Sequence, residues 1–213
     1  MKYIPYVNIK QGSASISRFS NGNTLPLVQR PFGMAPFCLQ SDMWGGRWFF
    51  HPDHPYAEGI RLTHQPSPWL GEYGTFLMMP QNDVISNNAP GAWSGYRPQE
   101  SVFRPDYLKV TFLRSNSTLE LTPTDRGGAV RLTFHDDRPS VLSFMPVDGN
   151  YTYHYNKETH TLIGTNDAKG SGVGENFKAY LAVKFLGDVV DDEKVIIQSG
   201  KHTTNPHIPL SSR

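Results

Sequence analysis

YLKVTFLRSNSTLELTPTDRGGAVRLTFH, residues 107–135, decides the fold class. Side-chain character alternates along YLKVTFLR (107–114) and again along STLELTPT (117–124), with a short polar turn between them. GAVRLTFH (128–135) follows the turn Asp125-Arg126-Gly127-Gly128. A period of two sends successive side chains to opposite faces, which is the mark of a half-buried strand. Working outward, SVLSFMPV (140–147) follows Asp136-Asp137-Arg138-Pro139, and TYHYN (152–156) with THTLIG (159–164) reads as a hairpin. FKAYLAVKFLG (177–187) and EKVIIQS (193–199) read as later strands. Short β-rich runs with turn residues about every 8–12 positions point to a sandwich or barrel. No segment carries a sustained helical apolar period. The expectation is an all-β fold, an antiparallel β-sandwich.

The N-terminal half reads differently. Residues 20–105 contain all four tryptophans and most of the 17 prolines, with only short apolar runs such as TFLMMP (75–80). This half is expected to be loop-rich, and long ordered loops are more often functional than idle. PFGM (31–34) is expected to start an inner strand, with Gly33 allowing close backbone approach. The closing residues KHTTNPHIPLSSR (201–213) show no strong strand signal, so either the sandwich lacks a closing strand or the chain is a piece of something longer, truncated at its C-terminus.

Bulk properties narrow the function classes. Hydrophobic residues make up 38% and charged residues 18% of the 213-residue chain, as in a folded domain. Net charge is +1 with no basic cluster, so neither a nucleic acid nor a membrane surface is the expected partner. Cys38 is the only cysteine, which excludes an internal disulfide and a multi-thiolate metal site. The start MKYIPYVNIKQGS lacks the apolar run of a signal peptide, and the expected location is cytoplasmic.

RLTHQPSPWLGEYG (61–74) is the stretch that asks for a functional explanation. Pro66 and Pro68 each remove a backbone donor and fix φ, which excludes a helix interior or a central strand. A rigid loop nonetheless carries a histidine, a glutamine, a tryptophan and a glutamate. Trp69 reads either as a platform for the C–H face of a sugar or as an anchor buried in the core. His64 and Gln65 read either as hydrogen-bond partners of sugar hydroxyls or as partners of backbone groups freed by the prolines. Glu72, beside a glycine, reads as a solvated turn residue. Asn21-Gly22-Asn23 is a tight-turn signal, with Asn23 a further candidate for a ligand-facing position. HPDH (51–54) brings His51, Asp53 and His54 together, but Pro52 and Pro55 forbid the helical spacing of a zinc motif, and a surface loop is the expectation. GSGVGE (170–175) lacks the lysine and hydroxyl residue of a phosphate loop and reads as a mobile loop.

Three segments carry a family resemblance: SNGNTLPLVQRPFGMAPF (20–37), EGIRLTHQPSPWLGEYGTFLMMPQ (58–81) and, more weakly, ENFKAYLAVKF (175–185). Together they resemble the N-terminal domain of glycoside hydrolase family 92, the calcium-dependent exo-acting α-mannosidases. The resemblance implies that residues 1–213 are the N-terminal β-sandwich of a two-domain parent whose (α/α)-barrel catalytic domain is absent from this chain. It further implies that the general acid, the general base and most ligands of the calcium cofactor belong to that second domain, so no catalytic residue is assigned in this chain. The implied substrate is a terminal α-mannoside of oligosaccharides or N-glycans, hydrolysed with inversion in a pocket between the two domains. Trp69, His64, Gln65 and Asn23 are the residues expected to help form its wall. The fragment alone is expected to be inactive, to bind mannose weakly or not at all, and to expose an apolar docking face. The alternative is a free-standing carbohydrate-binding sandwich with Trp69 in its platform.

Overall fold

A computed structural model describes residues 3–19, 22–41, 47–65, 67–187, 189–199 and 204–210. Asn21 and Pro66, both singled out above, lie outside the described residues. Among the described residues, fifteen strands follow one another along the chain. The first half supplies β1 (Phe37–Gln40), β2 (Tyr56–Ala57), β3 (Gly59–Leu62), β4 (Phe76–Asn82), a one-turn helix α1 (Ala89–Ala92), β5 (Ser94–Gly95) and β6 (Val102–Arg104). The second supplies β7 (Tyr107–Phe112), β8 (Ser117–Pro123), β9 (Gly128–Phe134), β10 (Ser140–Met145), β11 (Tyr151–Asn156), β12 (Thr161–Asn166), β13 (Ala179–Lys184), β14 (Ile196–Ser199) and β15 (Thr204–Leu210).

The strands pair antiparallel into a six-stranded sheet β1-β3-β4-β10-β15-β14, a four-stranded sheet β6-β7-β8-β9, a three-stranded sheet β11-β12-β13 and the short pair β2-β5. Register decides which face meets which layer. Phe37, Leu62 and Phe76 stand opposite one another across β1, β3 and β4, so their side chains share one face. On that face a Cβ at Gly128 of β9 would come within 2.9 Å of the Phe37 ring, while Phe76 packs against Tyr151 and Tyr153 of β11 at 6.0 and 6.3 Å. The two smaller sheets therefore cover one face of the large one, giving the expected all-β sandwich.

The opposite face of the large sheet carries Cys38, Arg61, Leu77 and Met145, again matched in register, and all four are buried. Loops and the short helix bury them. The Phe49 ring lies 3.7 Å from the Arg61 guanidinium, Ser86 bonds Gln81, and Asn87 Oδ1 lies 2.8 Å from His207 Nε2. Burial on both faces gives β1 and β4 nearly continuous burial, whereas β7, β8 and β11 alternate.

Two sequence expectations change. PFGM is the turn before the inner strand, which begins at Phe37. The left-handed residue in that turn is the fully exposed Phe32 (φ 60°), while Gly33 makes the expected close backbone approach, a Cβ there lying 3.0 Å from the Arg30 carbonyl oxygen. The C-terminal segment does contain a strand, β15, inserted between β10 and β14. Each of its two prolines pairs with only one of the two flanking strands. Pro206 faces Ile197 of β14 beyond the β10 pairing, and Pro209 faces Val141 of β10 beyond the β14 pairing.

Candidate functional site

The loop 63–75 leaves the end of β3 and returns to β4, at the loop-covered face of the large sheet. Among the described residues, the main-chain hydrogen bond inside it runs from the Leu70 N–H to the Ser67 carbonyl. Side chains hold the rest. His64 places Nδ1 2.7 Å from the Gly74 carbonyl and Nε2 3.1 Å from the Met34 carbonyl, tying the loop to the 31–36 turn. A neutral imidazole has one N–H and serves one of these acceptors; the doubly protonated ring serves both. Gln65, 3% exposed, donates from Nε2 to the Arg47 carbonyl at 2.8 Å, and Arg47 Nη1 donates to the Trp69 carbonyl at 2.9 Å. Trp69 stands edge-on to Trp48, with ring centroids 4.8 Å apart, and keeps 53% of its surface exposed.

Glu72 departs from its expected role. It is 5% exposed, because the loop folds its carboxylate beneath itself rather than toward solvent. The carboxylate accepts from the His64 N–H at 2.7 Å and from the Thr63 hydroxyl, and faces Arg61 Nη1 at 3.4 Å. Arg61, buried on β3, donates Nε to Gln40 Oε1 at 2.8 Å and also bonds it through Nη2. Gln40 in turn donates to Glu58 at 2.8 Å. Burial pulls the Arg61 guanidinium below its usual range, opposed chiefly by the neighbouring Glu72 carboxylate. A buried pair of this kind stays charged only when every partner is in place.

Loop 63–75 is clamped at its far end by Gly74. Its φ of 84° suits glycine, and a Cβ there would lie 2.1 Å from the Ala179 Cβ of β13. On the outer side, Trp69, Leu70, Phe32 and Met34 are exposed apolar side chains on the two loops that His64 joins.

This geometry belongs to a known domain type. The family model for the glycosyl hydrolase family 92 N-terminal domain matches residues 6–207. The chain belongs to that family. Among solved structures it is similar to a family 92 inverting mannosidase from Bacteroides thetaiotaomicron VPI-5482, at 25% identity and a TM-score of 0.88 over 99% of this chain and 30% of that one. A family 92 α-mannosidase from Bacteroides thetaiotaomicron shares the fold at 19% identity and a TM-score of 0.73, over 100% of this chain and 32% of that one. The chain thus spans about a third of the length of these relatives. A search of curated proteins returns no match.

Of the four residues expected in the family 92 pocket wall, the structure brings three together on one loop: His64, Gln65 and Trp69. Asn23 sits in a separate turn with φ 55°, accepting from Ser15 Oγ at 3.2 Å. Sequence reasoning passed over Trp48, whose Nε1 is buried beside Trp69 without a hydrogen-bond partner among the described residues, and Arg47, which bridges the two loops. The signal available was the charged and amide residues embedded in apolar runs, Gln40 in FCLQS and Arg61 in GIRLT. The His51 and His54 rings lie 5.0 Å apart and tilted by 34°, and His54 stacks on Tyr56 at 5.3 Å.

Proposed function

We propose that this chain forms the non-catalytic wall of the sugar pocket in an inverting exo-α-mannosidase, with Trp69 as the face on which a terminal mannose packs. The observation that carries the reading is the posture of Trp69. Its indole is half exposed, while the surrounding polar groups of its loop point inward to Glu72, Arg47 and the Met34 and Gly74 carbonyls. An aromatic plane held on a rigid loop binds a sugar with little loss of side-chain freedom. In this reading His64, Gln65 and Asn23 shape the wall.

Inverting hydrolysis needs an acid on the leaving oxygen and a base on the attacking water, about 6.5–9.5 Å apart. These are assigned to a catalytic domain corresponding to the part of the relatives that this chain does not span. The apolar surface of Phe32, Met34 and Leu70 is its docking face. Calcium belongs to that partner as well. Among the described residues no three His, Cys, Asp or Glu side chains gather, and the acidic groups nearest the loop, Glu58 and Glu72, are engaged by Gln40 and Arg61. The described residues of this chain do not assemble the carboxylate cage that a calcium ion would need.

Titration with α-methyl mannoside and α-mannobiose tests the reading. The expected result is weak, millimolar binding centred on Trp69, lost in Trp69→Ala with the fold intact, and no release of mannose. A Trp69 signal indifferent to mannosides would overturn the wall. Mannosidase turnover by residues 1–213 alone would overturn the placement of the catalytic carboxyls. Submillimolar binding would favour a free-standing carbohydrate-binding module.

A further inference from the structure

The loop that presents Trp69 has little main-chain bonding of its own, so something else sets its pose. A continuous chain of hydrogen bonds answers that need. The Thr63 hydroxyl donates its single proton to the Glu72 carboxylate, 3.0 Å from each oxygen, and accepts from the Gln65 N–H at 3.2 Å. Gln65 Nε2 donates to the Arg47 carbonyl, and Arg47 Nη1 donates to the Trp69 carbonyl. The same carboxylate takes the His64 N–H, fixing the residue whose ring ties down the neighbouring turn. Glu72 ties this chain to β3 through Arg61, which Gln40 in turn holds against β1.

We propose that Glu72 is the positioning residue of the sugar wall: from beneath the loop, its carboxylate fixes where the Trp69 indole stands against Trp48. The proposal rests on reading Trp69 as that wall. Glu72 touches no substrate. A carboxylate is required because three donors converge on it, and only an acceptor-only group satisfies all of them. Glutamine keeps the shape but presents an amide N–H₂ to at least one of those donors, leaving it unpaired. The polar network fixes conformation where an apolar filler of equal volume would let the loop choose among several poses.

Fluorine NMR of the chain labelled with 5-fluorotryptophan tests this without sugar. Trp69→Phe and Trp48→Phe assign the two lines, which the 4.8 Å edge-to-face contact makes sensitive to each other's ring. In Glu72→Gln the Trp69 and Trp48 lines are expected to shift together and broaden, while the Trp93 line stays in place. A folded Glu72→Gln protein with wild-type Trp69 and Trp48 lines would overturn the proposal. If Glu72→Gln does not fold, Thr63→Val decides: it removes one bond to the carboxylate, and displaced Trp69 and Trp48 lines support the proposal whereas unchanged lines overturn it. These lines are read with no mannoside present. Failure of the sugar wall itself would instead show in the mannoside titration, with the effect of Glu72→Gln intact.

Discussion

The four-stranded sheet β6-β7-β8-β9 and the six-stranded sheet it packs on are both antiparallel, yet they bury their residues in opposite ways. β7 and β8 alternate, with Leu108, Val110, Phe112, Leu119 and Leu121 inward and their neighbours partly or fully exposed. β1, β3 and β4 are buried on both sides, by sheets on one face and by loops on the other. The difference teaches where this domain keeps its chemistry. The outer sheets need only hydrophobic contact, so their exposed faces are free of consequence. The loop-covered face of the large sheet must satisfy polar groups in the dry, and it is there that Gln40, Glu58, Arg61 and Glu72 link the sheet to the Trp69 loop.

The largest effect should come from breaking that buried polar face. Arg61→Met leaves the buried Glu72 carboxylate without its cation, and should destabilise the fold by about 3–5 kcal/mol in urea unfolding. An effect below about 1 kcal/mol, as for an exposed ion pair, would show that this region is solvated in solution. Next comes hydrophobic burial. Leu77→Ala on β4 should cost about 2–5 kcal/mol, whereas Val130→Ala on β9 (41% exposed) should stay within about 0.5 kcal/mol. Equal costs would erase the contrast between the two regions.

A smaller effect sharpens the comparison at the β10–β15 seam. His207 is buried, with Nδ1 2.7 Å from Ser143 Oγ, and burial lowers its pKa below the ordinary 6.5. The unfolded chain takes up this proton first as pH falls, so the stability present above about pH 6.5 should decline below it until the lowered folded value is passed. Melting temperatures at pH 7.5 and 5.5 should diverge more in the wild type than in His207→Gln. Equal divergence would place the acid sensitivity elsewhere.

The same contrast explains what the sequence disclosed. Alternation made β7, β8, β11 and β12 legible, because one wet face and one dry face leave a period of two. β1 and β3 left no such trace. Continuous burial removes the alternation, and GIRL or FCLQ cannot be told from other short apolar runs. β4 was further masked by Pro80, which pairs with Leu142 of β10 beyond the point where β3 stops at Met78. In the site, the prolines marked the loop as backbone without regular main-chain bonding. The burial of Glu72 was not legible, since local sequence says nothing about which way a turn folds its carboxylate. Trp48 was missed because it acts through a loop distant in sequence.

Trp69→Ala should have the smallest effect on the fold, within about 0.5 kcal/mol, because its indole is half exposed. It should have the largest on recognition, and this makes it the most direct measurement. The wild-type chain and Trp69→Ala, matched in melting temperature, are titrated with α-methyl mannoside while the tryptophan signal is followed. The account predicts a weak saturable response in the wild type that is absent from Trp69→Ala. Identical responses in the two proteins, or none in either, would contradict it.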